Sequence, residues 1–389
     1  MKKINRKHYD EGMRKAILEV TLSCGCLPYR AIRLLNMRTE SVQKTCKKMV
    51  DEGLLKKYTS EKKARRERIW AMVLNGDQQL IEQFDTILPE HLLTLYSSIA
   101  INDKYKITSG NVYPTKLRVI RNAETFMFFY GAGIDTLRGR CENMRKDDSN
   151  ASNIYYTSRE LKGSQVDEDG LKADLDASNR VNTTRVNGVY VSDGGTYLIY
   201  NTNRYLGNYS LSGERKLKAH MDIMMSWKNK DIIDSAMLLA DNMEFFKKIL
   251  NPPSQLAQQH LQGLEGVYKN IYALPLNQDG QKMMKLMSIP DWQEKIYSNV
   301  LTMEQRTRKS SVVECDGQDD NRYLFVFCVP NIRRLKMFYK RAKIENDRDK
   351  YAVMCFDTQK KFLTEAMGNY VKIYSTSFHD YYNYIMDGK

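Results

Sequence analysis

The clearest hydrophobic pattern in the chain lies between residues 39 and 52, where apolar positions recur every third or fourth residue. The residues of this stripe are Val42, Cys46, Met49 and Val50. This spacing places all four on one face and predicts an amphipathic helix. Thr39 is a suitable N-cap, because its hydroxyl can accept a hydrogen bond from a first-turn amide, and Gly53 can end the helix in a left-handed conformation. Weaker apolar patterns predict a helix over 10–23 and a helical segment over 28–35.

A hairpin is predicted after this helix. Residues 54–58 begin apolar and residues 69–74 are almost wholly apolar, which is typical of two strands. The polar segment between them carries five cations: Lys62, Lys63, Arg65, Arg66 and Arg68. Helix, turn, helix and basic hairpin, in this order, resemble a winged helix-turn-helix. The resemblance implies that the second helix lies in the major groove of DNA and that the hairpin follows the phosphates.

Positive charge is concentrated in this part of the chain. Residues 1–75 hold 19 Lys or Arg against 8 Asp or Glu, a net charge of +11 out of +14 for all 389 residues. An excess confined to one module indicates a binding surface for a polyanion. We therefore predict binding to double-stranded DNA, with Arg38 and Gln43 nearest to the base edges. The predicted contacts are the five hairpin cations together with Arg38, Gln43, Lys44, Lys47 and Lys48.

Beyond residue 75 the pattern changes to alternating helices and strands. Residues 76–150 are predicted to form a helical connector, in which 115–130 is a helix or, less favoured, a buried strand. Residues 151–389 contain a predicted hairpin, with strands over 186–191 and 196–201, and a helix over 213–227. The remaining predicted elements alternate up to the end of the chain, closing with a βαβαβ segment over 323–329, 332–343, 351–356, 360–367 and 370–374. This alternation predicts an α/β fold for residues 151–389.

The elements from 115 to 230 resemble the replication-relaxation family of plasmids and conjugative elements. The matching features are the segment 156–160, the hairpin strands that contain Asn187 and Tyr200, and the following helix with Lys216. The resemblance implies a winged helix followed by a mixed α/β domain similar to restriction-endonuclease-like nucleases.

In that nuclease fold, an acid on the first hairpin strand and a Glu-x-Lys motif on the second hold magnesium and the attacking water. Asn187 occupies the first of these positions, and Tyr200, Asn201 and Thr202 occupy the second. Glu160 is the one candidate acid that remains near the hairpin. We therefore predict a degenerate nuclease domain with no catalytic residues, no metal site and no cofactor.

Other function classes find little support in the sequence. The first 15 residues are charged, and no apolar run approaches the roughly 18 residues that span a bilayer, so we expect a cytoplasmic protein without membrane contact. The seven cysteines lack a disulfide framework, and Cys24 and Cys26 have poor zinc spacing. The five histidines are isolated, and no phosphate-binding glycine motif is present.

The sequence therefore favours a DNA-binding replication or transfer accessory factor, or a transcriptional regulator, of a mobile element. One alternative is a metal-dependent DNA nuclease in which Glu160 acts with acids from elsewhere in the chain. A second alternative is an interaction scaffold, in which the winged module forms a homodimer or docks a protein, its basic face simply solvated, and the α/β domain holds a protein partner.

Overall fold

A computed structural model describes residues 6–60, 70–74, 107–108, 110, 112–136, 153–158, 161, 185–204, 207–226, 232–255, 261–308 and 310–387. Side chains of the first helix are described from Gly12 onward. The chain divides into two compact units. Unit 1 comprises Met1–Ser149 and Tyr155–Leu171, and unit 2 comprises Asn150–Ile154 and Lys172–Lys389.

Unit 1 combines helices with a small antiparallel sheet. Its described elements are helix α1 (Arg6–Cys24), strand β1 (Leu27–Pro28), a 3₁₀ helix (Tyr29–Leu35), helix α2 (Thr39–Asp51), strands β2 (Leu55–Thr59) and β3 (Trp70–Leu74), and helix α3 (Tyr113–Gly131). The three strands have the order β1-β3-β2, with Leu27 opposite Met72 and Leu55 opposite Leu74. The predicted helices and hairpin are all present, and the segment predicted as helical over 28–35 is a 3₁₀ helix preceded by a two-residue strand.

The N-cap of helix α2 lies one residue earlier than predicted. Thr39 is already helical, and Arg38 is the N-cap, with φ −60° and ψ 114° and no side-chain cap. The prediction that Thr39 caps the helix was wrong because the carbonyl of Arg38 accepts the first helical hydrogen bond, from the amide of Val42 at 3.1 Å. At the other end Gly53 has a φ of +79°, as expected for a helix stop.

The core of unit 1 lies between α1, α3 and the elements that follow α1. The fully apolar turn at the end of α3, Phe126–Phe129 in sequence, is buried, as are Ile17 and Val20 of α1. Phe129 stacks on Tyr155 with ring centroids 4.3 Å apart and an interplanar angle of 2°. The segment over 115–130, for which the sequence left two possibilities open, is a helix and not a buried strand.

Helix α3 has 19 residues and carries four charged side chains, at Lys116, Arg118, Arg121 and Glu124. Such charges are costly in a bilayer core. Neither this helix nor any other in the described part of the chain has the length and apolar character needed to cross a membrane.

Unit 2 contains the larger sheet. Its strands within unit 2 have the order β5-β6-β7-β8, with β5 (Gly188–Ser192), β6 (Gly195–Asn203), β7 (Ser235–Ala240) and β8 (Asn270–Pro275). The boundary between the units falls within the short strand β4 (Ile154–Thr157). β5 and β6 are antiparallel, whereas β6, β7 and β8 are parallel, so the sheet is mixed. Every residue of β7 is buried, which explains its uninterrupted apolar sequence.

The hairpin of β5 and β6 turns through two residues, Asp193 and Gly194, and Ser192 pairs with Gly195. The amide of Gly194 donates to the carbonyl of Ser288 at 3.1 Å. A Cβ atom at Gly194 would lie 2.0 Å from the carbonyl oxygen of Met287. A glycine is therefore required where the turn approaches this neighbouring backbone.

Unit 2 contains a second sheet, which is formed by the last four strands described in the chain. Its order is β12-β11-β10-β9, with β9 (Gly317–Gln318), β10 (Tyr323–Val326), β11 (Tyr351–Phe356) and β12 (Lys372–Thr376). β10, β11 and β12 are parallel, as the predicted βαβαβ segment requires. Their crossover helices begin and end close to the predicted positions. The mixed α/β class of the chain is thus confirmed.

The described helices of unit 2 surround these sheets. They are α4 (Leu211–Ser226), α5 (Lys247–Leu250), α6 (Gln262–Glu265), α7 (Gln278–Met287), α8 (Trp292–Val300), α9 (Met303–Thr307), α10 (Ile332–Glu345), α11 (Asp357–Met367) and α12 (Phe378–Asp387), with 3₁₀ turns at Met243–Phe246 and Arg348–Lys350. The sequence did not predict α6, α8, α9 or α12. Helix α12 packs through Phe378, whose ring lies 4.9 Å from that of Phe356.

Candidate nucleic-acid interface

Helix α2 presents two chemically different faces. Val42, Cys46 and Met49 of the predicted apolar stripe are fully buried and pack into unit 1, whereas Val50 is only half-buried. Thr45 joins this face, and its hydroxyl lies 3.2 Å from the sulfur of Met13 in α1. The opposite face carries four exposed side chains: Gln43, Lys44, Lys47 and Lys48. The sequence pattern therefore places cations and one amide on the same accessible surface.

Two acidic side chains of this region are engaged with arginines. Arg14 in α1 donates two hydrogen bonds to Glu52, at 2.9 and 2.7 Å, and these hold the pKa of the Glu52 carboxyl below its usual range. Arg38 lies beside Glu40, with 3.1 Å between the nitrogen and the carboxylate oxygen, and the pKa of Glu40 is also lowered by this hydrogen bond. These pairs reduce the negative charge that α2 presents next to its lysines.

The base of the β2–β3 hairpin adds cations and aromatic rings. Lys56 and Lys57 are exposed, and the ammonium group of Lys57 lies 4.6 Å from the ring centroid of Trp70. The ring of Tyr29 is 5.3 Å from that of Trp70 on centroids. The hairpin tip, with the predicted contacts Lys62, Lys63, Arg65, Arg66 and Arg68, lies outside the described residues.

Buried polar contacts fix the scaffold behind this surface. Arg30, in the 3₁₀ helix, donates to the buried carboxylate of Glu124 in α3 at 2.5 Å. Tyr130 of α3 donates to Glu19 of α1 at 2.8 Å, although burial still raises the pKa of Glu19. Removal of Arg30 or Tyr130 would take this hydrogen bond from a buried carboxylate, so both pairs help to fix the arrangement of the helices.

Two of the hairpin positions that the sequence analysis predicted to be degenerate nuclease positions have hydrogen bonds to the backbone of the sheet. The side-chain oxygen of Asn187 accepts from the amide of Asn201 at 2.6 Å, and the hydroxyl of Thr202 donates to the carbonyl of Leu239 at 2.9 Å. Both side chains are buried. Glu160, the remaining candidate acid, lies outside the described residues. In the described ranges, no group of three or more His, Cys, Asp or Glu side chains is arranged to hold a metal ion.

Tyr200 belongs to a buried cluster that the sequence did not predict. Its hydroxyl donates to the carboxyl of Glu214 in α4 and lies 2.9 Å from the hydroxyl of Tyr268. Burial raises the pKa of Glu214 to about 7. The hydrogen bond from Tyr200 and the positive charge of Arg185 act in the opposite direction and lower it. Glu214 precedes Leu217 and Met221 at helical spacing, so its place on the apolar stripe of α4 was the available signal.

A polar cleft of about 940 Å³ opens at the amino-terminal ends of β7 and β8. Its walls include Asp193 of the hairpin turn, Asp234, Lys269 and Asn270. The side-chain amide nitrogen of Asn270 lies 3.4 Å from a carboxylate oxygen of Asp234. The side chains that line it carry charges of both signs.

Comparison of the chain with protein-family models, with curated proteins and with solved structures finds no match. We therefore argue the function from the side chains themselves.

Proposed function

We propose that this chain is a non-enzymatic DNA-binding protein, in which unit 1 is a winged helix-turn-helix. Helix α2 enters the major groove and the β2–β3 hairpin follows the phosphates. Unit 2 has a degenerate nuclease-like core. The protein serves a mobile element as a replication or transfer accessory factor or as a regulator.

The observation that carries this proposal is the division of α2 into a buried apolar face and an exposed face with Gln43, Lys44, Lys47 and Lys48. A second helix of such a module must expose side chains that reach both phosphates and base edges. Lysines supply the phosphate contacts, and a glutamine can bond both adenine edge atoms. The net charge of +11 within residues 1–75 would also attract DNA at long range.

A contrasting basic surface in unit 2 has half of its cations paired with acidic side chains. Helix α10 carries six Lys or Arg, yet Arg334 pairs with Glu314 and Asp316, and Lys336 pairs with Glu265. Arg341 pairs with Glu345. Because these charges are compensated by their neighbours, α10 is a weaker candidate for a phosphate contact than α2.

The proposed absence of catalysis follows from the use of the hairpin residues. Asn187 and Thr202 hold backbone groups of the sheet and leave no carboxylate at either position. A hard cation prefers charged oxygen ligands, so this hairpin is a poor magnesium site. Magnesium-dependent cleavage of plasmid DNA that disappears in Glu160→Ala would replace the proposal with the nuclease alternative.

The test is a titration of the full chain with labelled duplex DNA at salt concentrations from about 50 to about 200 mM. The affinity falls as salt rises, and each phosphate contact contributes about 0.9 to the magnitude of the slope of log affinity against log salt concentration. The double variant Lys44→Ala with Lys47→Ala should therefore have a shallower slope, by about 1.8. The matched control removes two exposed lysines of α11, Lys360→Ala with Lys361→Ala, and should leave the slope unchanged. Equal slopes for both double variants, or no binding by the wild type, would contradict the proposal.

A further inference from the structure

Trp70 is an unusual surface residue of unit 1. Its side chain is 46% exposed, and no other aromatic residue described in this unit is as exposed. It opens β3 opposite Thr59 and follows directly after the basic hairpin segment 61–69. The indole is therefore accessible to a ligand that approaches the hairpin.

The groups around the indole are polar or aromatic. Lys57 and Thr59, which lie beside it on β2, are both exposed. The Lys57 ammonium lies 4.6 Å from the ring centroid, and the Tyr29 ring is tilted by 32° at 5.3 Å. A docking protein would require a continuous apolar patch, which these neighbours do not provide. An aromatic ring with a lysine beside it instead fits a ligand that combines flat bases with phosphates.

We propose that Trp70 stacks on an unpaired DNA base, and that Lys57 leaves the ring to contact an adjacent phosphate. Stacking of a base on an aromatic side chain is stronger than an exposed cation–π contact, so the exchange is favourable. Lys57 meanwhile gains a charge-assisted hydrogen bond. This assignment depends on unit 1 binding DNA as proposed above.

The stacking step specifies the kind of DNA. In an uninterrupted duplex each base face is covered by its neighbours, and only a gap, a bubble or a single-stranded end offers a free face. The ligand class is therefore duplex DNA that adjoins unpaired nucleotides. Helix α2 binds the paired part and Trp70 the unpaired part.

The experiment compares two labelled DNAs that differ only by a short central bubble. The full chain should bind the bubble DNA about tenfold more tightly than the intact duplex, a difference of about 1.4 kcal/mol. Trp70→Ala should bind both DNAs with the affinity that the wild type shows for the duplex. Trp70→Phe keeps an aromatic ring and should retain most of the preference.

Two further variants separate stacking from charge and from general exposure. Lys57→Ala should weaken binding to bubble DNA more than binding to the duplex, because Lys57 contacts a phosphate only when Trp70 stacks, and the ring that remains should keep part of the preference for the bubble. Tyr384 is an exposed aromatic residue of unit 2, at 56%, and Tyr384→Ala should change nothing. Trp70 fluorescence supplies an independent readout, since bubble DNA should quench the wild type but not Trp70→Phe.

The outcomes distinguish the two proposals. Equal affinity of the wild type for both DNAs would overturn the stacking role and leave duplex binding intact. A bubble preference that survives in correctly folded Trp70→Ala, or a quench that persists in Trp70→Phe, would also overturn it. Failure to bind either DNA would overturn both the stacking role and the proposed function.

Discussion

The buried carboxyl of Glu214 gives unit 2 a predictable dependence on pH. Glu214 is 1% exposed, and its carboxyl accepts a hydrogen bond from the hydroxyl of Tyr200, which lies next to that of Tyr268; the positive charge of Arg185 also acts on it. Glu214→Gln preserves size and a hydrogen-bond acceptor but removes the ionisation. We expect this variant to lose a stability change that the wild type undergoes between acidic and neutral pH.

The size of the effect follows from the shift in pKa. Burial raises the pKa of Glu214 from 4.5 to about 7, so the folded protein holds this proton more tightly than the unfolded chain. The wild type is therefore most stable, as far as this group is concerned, below pH 4.5, and it loses stability as the pH rises to 7. The full change is about 3.4 kcal/mol, of which about 2.5 kcal/mol falls between about pH 5 and about pH 8.

Urea unfolding at the two pH values measures this change. In a Trp70→Phe background, the remaining tryptophans, Trp227 and Trp292, both belong to unit 2 and report on its unfolding. Subtracting the Glu214→Gln variant from its parent cancels all other titrations. Tyr268→Phe is the control, because it keeps the buried carboxyl and should keep most of the pH dependence. If Glu214→Gln and its parent lost the same stability between the two pH values, the reasoning would be refuted.

Two further substitutions test the hairpin of unit 2. Gly194→Ala should cost about 3 kcal/mol in urea unfolding, because its Cβ would meet the Met287 carbonyl oxygen at 2.0 Å. Gly53→Ala is the matched glycine, with a φ of +79° but no atom within 4 Å of its Cβ, and should cost only about 1–2 kcal/mol. Asn187→Ala should cost about 1–3 kcal/mol, since the buried amide of Asn201 loses its acceptor. Unchanged stability of Asn187→Ala by the same measurement would contradict the role assigned to that hydrogen bond.

The sequence predicted those elements whose pattern is local. Helix α2 has an apolar stripe and a glycine directly after its end, and the β5–β6 hairpin has a glycine-containing turn between two strands that are rich in apolar residues. The parallel strands β10 and β11 are continuous apolar runs, which identify buried strands without reference to neighbours. In each case the information lies within about a dozen residues.

Features that depend on tertiary contacts were not predictable in this way. Helix α12 contains three tyrosines and a phenylalanine, a composition that favours strands, and its packing on Phe356 outweighs that preference. The contact between Tyr200 and Glu214 joins a strand to the following helix. Its hydrogen bond cannot be inferred from spacing alone. The wrong prediction of Thr39 as the N-cap of α2 also reflects structure outside the helix. The preceding turn at Asn36, with φ +53°, sets where α2 begins.

The two outer strands of the unit 1 sheet are poorly suited to recruit another chain. Pro28, one of only two residues in β1, has no amide hydrogen to offer, and β2 carries exposed Lys56 and Lys57. Charged and proline-containing edges are the usual protection against strand-to-strand aggregation. If copies of this protein associate, they should therefore do so through helices or side chains, and not by extending this sheet from one molecule to the next.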